Sequence, residues 1–313
     1  MKSLRFLALM LVMLLPLVAA CRKEERPAGG TRKLQVVTTL FPLYDFARTI
    51  GGDRVEVRLL LPPGVEPHEF EPRPDDVVRL AKADLFVYTN RYMEPWAARL
   101  LQGVDNKGLA VVDASAGVTF LPASAEEEVE EGHRPEGGMN PHVWLSIPNA
   151  ERMVANIRDG LVRKDPAGAA VYRTHAEAYL SRLAELDRRF REGLSGCGQR
   201  LFLHGGHYAF GYLAKRYGLR YVSAYPLSAN AEPTPRRLME LVDLMRRNSL
   251  HYIFYEELLS PRVAQTIARE TGADLLQLYV IENVSREELA AGATYLSLME
   301  ENLKNLRIGL QCR

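Results

Sequence analysis

Between Asp165-Pro166 and Gly193 the chain carries a helical pattern in which Tyr172, Ala176, Tyr179, Leu183, Leu186 and Phe190 recur at spacings of three and four. Those spacings keep one apolar stripe on a single face of a 3.6-residue period. Asp165 reads as an N-cap, and Pro166 suits the first helical turn, where its missing N–H costs nothing. At 1.5 Å per residue such a helix is about 40 Å long, enough to run the height of two domains. The fold must therefore be arranged around a stiff rod.

The chain on either side of this rod alternates short β-rich runs with helical patterns. Strand candidates lie at 34–39, 54–60, 84–89 and 109–113 before it, with helical spacing at 45–50, 74–82, 95–101 and 149–163. After it, strand candidates at 200–204, 219–223, 251–255 and 274–280 alternate with helical patterns at 209–217, 235–247, 261–271 and 286–306. Strands separated by helices imply parallel sheets with crossover connections. The predicted fold class is α/β: two similar open parallel-sheet (βα)4-like lobes, 34–165 and 195–313, joined by the spine helix 166–194. No P-loop or Gly-x-Gly-x-x-Gly fingerprint is present, so nucleotide binding has no positive support.

Lys+Arg number 40 and Asp+Glu 39 in 313 residues, a formal charge of +1 that offers no footprint for nucleic acid. The first 20 residues form a basic start and an apolar run ending in small residues, the pattern of a signal peptide. Leu17-Val18-Ala19-Ala20-Cys21 resembles a bacterial lipobox. That resemblance implies cleavage before Cys21 and lipidation of it; the alternative is ordinary cleavage after Ala20, leaving a free thiol. Residues 21–33 then form a charged, Gly/Pro-bearing tether. An exported chain meets an oxidising compartment, which allows a bridge between Cys197 and Cys312.

In open parallel sheets ligands bind beyond the carboxyl ends of the strands. His68 follows the second strand candidate and His142 closes the first half; His207, Glu256 and Glu282 follow the first, third and fourth strand candidates of the second half. Imidazoles and a carboxylate converging between two lobes make a nitrogen and oxygen set that suits zinc. None of them forms a His-x-x-x-His helical pair, so they can meet only through the fold.

Four segments together carry a family resemblance. They are Pro-Gly-x-x-Pro-His at His68, Asn-Pro-His-Val-Trp-Leu-Ser at His142, the run His-Tyr-Ala-Phe-Gly-Tyr-Leu-Ala from His207, and Phe-Tyr-Glu followed by Ser260-Pro261-Arg262. The body from Leu34 to Leu310 resembles the metal-binding solute-binding lipoproteins of bacterial zinc and manganese ABC importers. The resemblance implies His68, His142 and His207 as metal ligands with a carboxylate fourth. Here the chain departs from the usual aspartate turn, so Glu282 is the first candidate, Glu256 the second and water the third. Glu256 also suits an outer role, orienting an imidazole. Three nitrogens favour Zn2+ over Mn2+ as the carried ion. The implied partners are an ABC permease and its cytoplasmic ATPase, with the protein a monomer held at the periplasmic or surface face of a membrane by its lipid.

Other features have plainer readings. The acidic, Gly-rich loop at 123–139, with its single His133, is expected to be solvated and without fixed fold, although a metal-gathering role is the rival. His204 is expected to make a structural hydrogen bond, with a swap for His207 as the alternative, and His175 and His251 to be packing or surface residues. Trp96 and Trp144 are expected to be interior anchors, the alternative for Trp144, two residues from His142, being a wall that excludes water from the site. The main rival from another class is a zinc hydrolase, with Glu66, Glu69 or Glu256 as base, since three histidines and an open position also describe catalytic zinc.

Overall fold

Two separate four-stranded sheets organise the described residues, and every strand pairing in both is parallel. The computed structural model describes residues 32–68, 70–122, 138–226 and 233–313. In the first lobe β1 (Leu34–Thr38), α1 (Phe41–Gly51), β2 (Val55–Leu59), α2 (Pro74–Ala81), β3 (Leu85–Tyr88), α3 (Ala97–Gln102) and β4 (Ala110–Asp113) follow in order. A short turn at Val143–Leu145 leads into α4 (Ile147–Lys164), and a second at Pro166–Gly168 into the spine, α5 (Ala169–Gly193). The second lobe continues with β5 (Leu201–His204), α6 (Gly211–Tyr217), β6 (Arg220–Ser223), α7 (Pro235–Arg247), β7 (Tyr252–Tyr255), α8 (Arg262–Thr271) and β8 (Asp274–Gln277). Helices α9 (Arg286–Ala290) and α10 (Tyr295–Gly309) end the chain.

The strand orders are β2-β1-β3-β4 and β6-β5-β7-β8. Val36 faces Val57 on one side and Leu85 on the other, and Leu203 faces Val222. Central strands are covered on both faces, which is why β3 reads Leu-Phe-Val with all three side chains buried rather than alternating. Each sheet reverses its winding direction between two central strands, β1 and β3 in one lobe and β5 and β7 in the other. The crevice beyond the carboxyl ends of such a pair is where an open sheet receives a ligand.

All six residues of the spine stripe are buried. At about 2 kcal/mol per buried large apolar side chain, that face holds the rod against both lobes. Tyr179 meets Phe46 of α1 edge-on at 5.7 Å, and Phe190 stacks on Tyr217 of α6 at 5.0 Å. Asp165 starts the rod as expected: its carboxylate accepts from Gly168 N, from Tyr172 OH at 2.6 Å and from the Arg54 guanidinium. A single buried cluster includes side chains of both lobes and of the spine, so the lobes share a core. Gly160 of α4 shows how closely the layers approach, because a Cβ there would lie 2.5 Å from Val112 of β4.

Three elements depart from the sequence expectation by more than a shift of their ends. The helix expected over 286–306 is two helices, α9 and α10, because Gly292 takes φ 79° and Thr294 opens a new capping box with Ser297. The last strand was expected to reach 280 but pairs only to Gln277, after which the chain leaves the sheet. The start of the spine is also a separate short turn, Pro166–Gly168, before α5. The segments 1–31 and 123–137, which carry the signal peptide, Cys21 and most of the acidic loop with His133, lie outside the described residues. Among the described residues no helix is long and apolar enough to cross a membrane.

Cys197 and Cys312 are joined by a disulfide across 115 residues, and backbone hydrogen bonds from Gly198 and Gln199 to Gln311 and Leu310 pair the same two segments. The bridge thus closes almost the whole second lobe into one covalent loop. In the chain-entropy account a loop of that size stabilises the fold by up to about 4–5 kcal/mol. Urea unfolding should therefore show a lower midpoint after reduction; equal midpoints with and without reductant would show that the bridge contributes nothing.

Candidate metal centre

Four loops at the carboxyl ends of the sheets bring His68, His142, His207 and Glu282 together, and one donor atom from each lies within 4.8 Å of every other. His68 ends the loop after β2, whose turn needs Gly64 at φ 81°. His142 sits just before the Val143–Leu145 turn. His207 follows β5 through Gly205 and Gly206, where side chains cannot fit. A Cβ on Gly205 would lie 2.6 Å from Ala264, and one on Gly206 would lie 2.5 Å from the Glu256 carboxylate. Glu282 belongs to the segment that leaves the sheet after β8.

The distances describe a small polyhedron. His142 Nε2 lies 3.3 Å from His68 Nε2 and 3.1 Å from His207 Nε2. Glu282 Oε1 lies 2.8 Å from His142 Nε2, 3.3 Å from His68 Nε2 and 3.4 Å from His207 Nε2. A tetrahedron whose corners stand about 2.0 Å from its centre, the zinc–nitrogen and zinc–oxygen range, has edges of about 3.3 Å. The set is thus sized for a four-coordinate ion of that radius.

Neighbouring groups fix which nitrogen faces the centre. Asn140 Oδ1 accepts from His142 N at 3.0 Å and from its Nδ1 at 2.8 Å, so the Nδ1 carries the proton and Nε2 presents a lone pair. Glu256 Oε2 lies 2.7 Å from His207 Nδ1 and does the same for that ring, while its Oε1 accepts from His207 N. Glu256 therefore stands behind His207, outside the four-atom set. His204 also stands outside it: its Nδ1 donates to the His207 carbonyl, which Tyr221 OH also reaches at 2.9 Å. Trp144 is buried, donates through Nε1 to Val280 O and sits edge-on to His142 at 5.5 Å. Trp96 is half-buried against Phe70, His175 reaches the Ile50 carbonyl from the spine, and His251 is exposed.

Burial dominates the protonation of this cluster. His142 is pushed down to about 4 by burial, against the pull of Glu282. Burial alone would lower His207 too, but the Glu256 and Glu282 carboxylates outweigh it and hold the ring well above the usual imidazole range. Burial would raise Glu282, yet attraction to the His68 and His207 rings holds its carboxyl well below its ordinary value. In the metal-free protein, then, a proton on His207 occupies the place of a cation between two carboxylates. His142, His207 and Glu282 are buried and the His68 side chain is 12% exposed, so of the four donors His68 lies nearest solvent.

Sequence reasoning passed over two polar residues here. Asn140 was legible as the first residue of Asn-Pro-His, two positions before the imidazole it orients. Glu257 was not, because its partners are the backbone N–H groups of Val280 and Ile281, which no side-chain pattern announces.

The family model for the periplasmic component A of a zinc-uptake complex, ZnuA, matches residues 36–309. The chain is 39% identical over 293 residues to the zinc-binding lipoprotein AdcA of Streptococcus pneumoniae, an alignment that covers 93% of this chain and 58% of that protein. It is 36% identical over 300 residues to the high-affinity zinc uptake system protein ZnuA of Bacillus subtilis, covering 94% of each. It thus spans little more than half of the streptococcal relative and nearly all of the Bacillus one. The crystal structure of the Zn(II)-bound ZnuA-like domain of S. pneumoniae AdcA superimposes with a TM-score of 0.76 at 38% identity, covering 89% of this chain and 99% of that one. With two parallel-sheet lobes of that architecture and a match over nearly the whole body, the chain belongs to the ZnuA family of zinc-uptake solute-binding components.

Proposed function

We propose that this protein captures Zn2+ outside the cytoplasm and hands it to an ATP-driven membrane permease, acting as a carrier and not as an enzyme. The observation that supports this reading best is the four-atom set of His68, His142, His207 and Glu282, with edges near those of a zinc tetrahedron. Two donors come from each lobe. An ion would therefore be enclosed when the lobes face each other and held by only two imidazoles, or by one imidazole and one carboxylate, when they part. The partner follows from the family: an ABC permease and its cytoplasmic ATPase, approached by a monomeric carrier. Lipidation of Cys21 is the proposed means of holding the carrier at the membrane, on its periplasmic or outer face.

Two features support a carrier over a hydrolase. Catalytic zinc keeps one coordination position open for water, whereas here four protein donors surround the centre. The carboxylate best placed to act as a base, Glu256, is committed to His207 through both oxygens. The donor chemistry supports zinc over manganese, since manganese favours sites richer in oxygen and of higher coordination number.

Competition with a chelator of known affinity tests the ligand set. H142A and H207A should each weaken zinc by more than about 100-fold, the upper end of what losing an outer partner costs, and N140A by about 10- to 100-fold. Wild-type affinity in either histidine variant would remove that residue from the set. Manganese competing as well as zinc for the wild-type protein would overturn the choice of ion.

The pH dependence follows from His207. Its proton must leave before Nε2 can bind a cation, and its carboxylate neighbours hold that proton into the neutral range. Apparent zinc affinity should therefore rise by about tenfold per pH unit as pH increases through neutrality. His142, at about 4, adds to the slope only in acid. The metal-free fold shows the opposite sign: the His207 pair stabilises it fully below the unfolded imidazole value near about 6.5, and that contribution is lost as pH rises through the raised folded value. The zinc-induced increase in melting temperature should accordingly grow with pH. An increase that is flat between pH 6 and pH 8, roughly the imidazole range, would contradict this assignment.

A further inference from the structure

The strand β7 ends in two adjacent carboxylates, Glu256 and Glu257, whose hydrogen bonds run to different places. Glu256 takes hold of His207, through the ring Nδ1 and the backbone N–H. Glu257 reaches the segment that carries Glu282. Its Oε2 accepts from Val280 N at 2.9 Å and its Oε1 from Ile281 N at 2.8 Å, one oxygen for each of two consecutive amides.

The conformation of that segment needs an explanation. Ile281 is fully buried and has φ 63°, the left-handed region that a β-branched residue rarely occupies. The next residue is Glu282. Upstream, Tyr279 is fixed by the Asn302 carboxamide, which accepts from its N–H and donates to its carbonyl. Downstream, Glu282 O accepts from Phe41 N, and Asn283 Nδ2 donates to Pro62 O and Val65 O of the loop that ends in His68. The second-lobe anchors Asn302 and Glu257 lie up to the left-handed residue and the first-lobe anchors Phe41, Pro62 and Val65 lie beyond it, with Trp144 Nε1 also reaching back from the first lobe to Val280 O; the Glu257 carboxylate is the last second-lobe anchor before the turn. An extended Ile281 would turn the following residue away from the three imidazoles.

We infer that Glu257 is a positioning residue for Glu282: by binding the Val280 and Ile281 amides it holds the left-handed turn that aims the Glu282 oxygen at the three Nε2 atoms. The inference rests on the zinc reading above and deepens it. Glu256 and Glu257 then divide the work, one orienting each donor of the second lobe.

The test uses the full chain and its E257A, E257Q, E282A and E257A/E282A variants. Each is titrated with Zn2+ against a chelator and with Co2+ followed by visible absorption, which reports tetrahedral coordination independently of folding. E257A should weaken zinc by about 10- to 100-fold, as losses of outer partners do, and should diminish the tetrahedral Co2+ band in the manner of E282A. The double variant should be no weaker than E282A, because the two residues act as a unit. E257Q keeps one carbonyl acceptor and should lose less than E257A. A wild-type Co2+ spectrum and zinc affinity in E257A, or losses that multiply in the double variant, would overturn the positioning role and leave the zinc reading standing. A wild-type chain with no tetrahedral Co2+ band removes the zinc reading and this inference with it. If circular dichroism shows E257A unfolded, E257Q decides by the same two readouts, and wild-type values in both overturn the inference.

Discussion

Four electron-rich atoms are held within a few ångströms of one another in a buried pocket, and the rest of the molecule is organised by that fact. Where no proton intervenes, the lone pair of His142 Nε2 and the Glu282 oxygen repel each other, and burial removes the water that would soften the repulsion. A chain free to relax would let these loops drift apart. The rigid parts of the fold resist that drift and hold the four donor atoms together. A proton shared between His207 and the flanking carboxylates offsets part of the cost until a cation replaces it.

Rigidity reaches the site along a chain of buried polar contacts. Asp45 of α1 accepts from Tyr179 OH of the spine and from Tyr295 N at the start of α10. Tyr295 OH donates to Trp144 O at 2.6 Å, and Trp144 Nε1 donates to Val280 O at 2.8 Å. The path therefore joins the spine, the second lobe, the His142 loop and the Glu282 segment. Buried polar groups of this kind are costly unless satisfied, and once satisfied they specify one arrangement. The shared apolar core beneath them gives no plane along which the lobes could slide freely.

Much of this was legible in the sequence, for physical reasons. The period-3.6 stripe from Tyr172 to Phe190 could bury only as a helix, and the short apolar runs between glycine, proline and helical segments could pair only as strands. His68, His142, His207 and Glu282 were legible as strand-end residues with metal-binding side chains, and parallel sheets gather strand ends at one edge. Other features were hidden because an apolar run records burial and not hydrogen bonding. Leu275 to Ile281 is one continuous apolar and polar-apolar run, yet pairing stops at Gln277 and the remainder is buried as an irregular strap. The break at Gly292 was similarly masked by helix formers on both sides. Glu257 carries no side-chain pattern that marks it, and only the path of the backbone reveals the two amides it serves.

The division of donors between lobes bears on how a tightly held ion can be given up. His68 and His142 belong to loops of the first lobe, and His207 hangs from β5 of the second. Glu282 is the other second-lobe donor, but its segment is tied to Glu257 and Asn302 on one side and to Phe41, Pro62 and Val65 of the first lobe on the other. Relative movement of the lobes would therefore load the backbone between Ile281 and Asn283, together with other links such as Trp144 to Val280 and Tyr212 to Asn140. Ile281 within that stretch holds a left-handed conformation that a β-branched residue rarely adopts. A shift of that backbone would move the Glu282 carboxylate relative to the three imidazoles. On the proposed carrier reading, the donor most directly coupled to lobe movement is thus the one carried by a segment tied to both lobes.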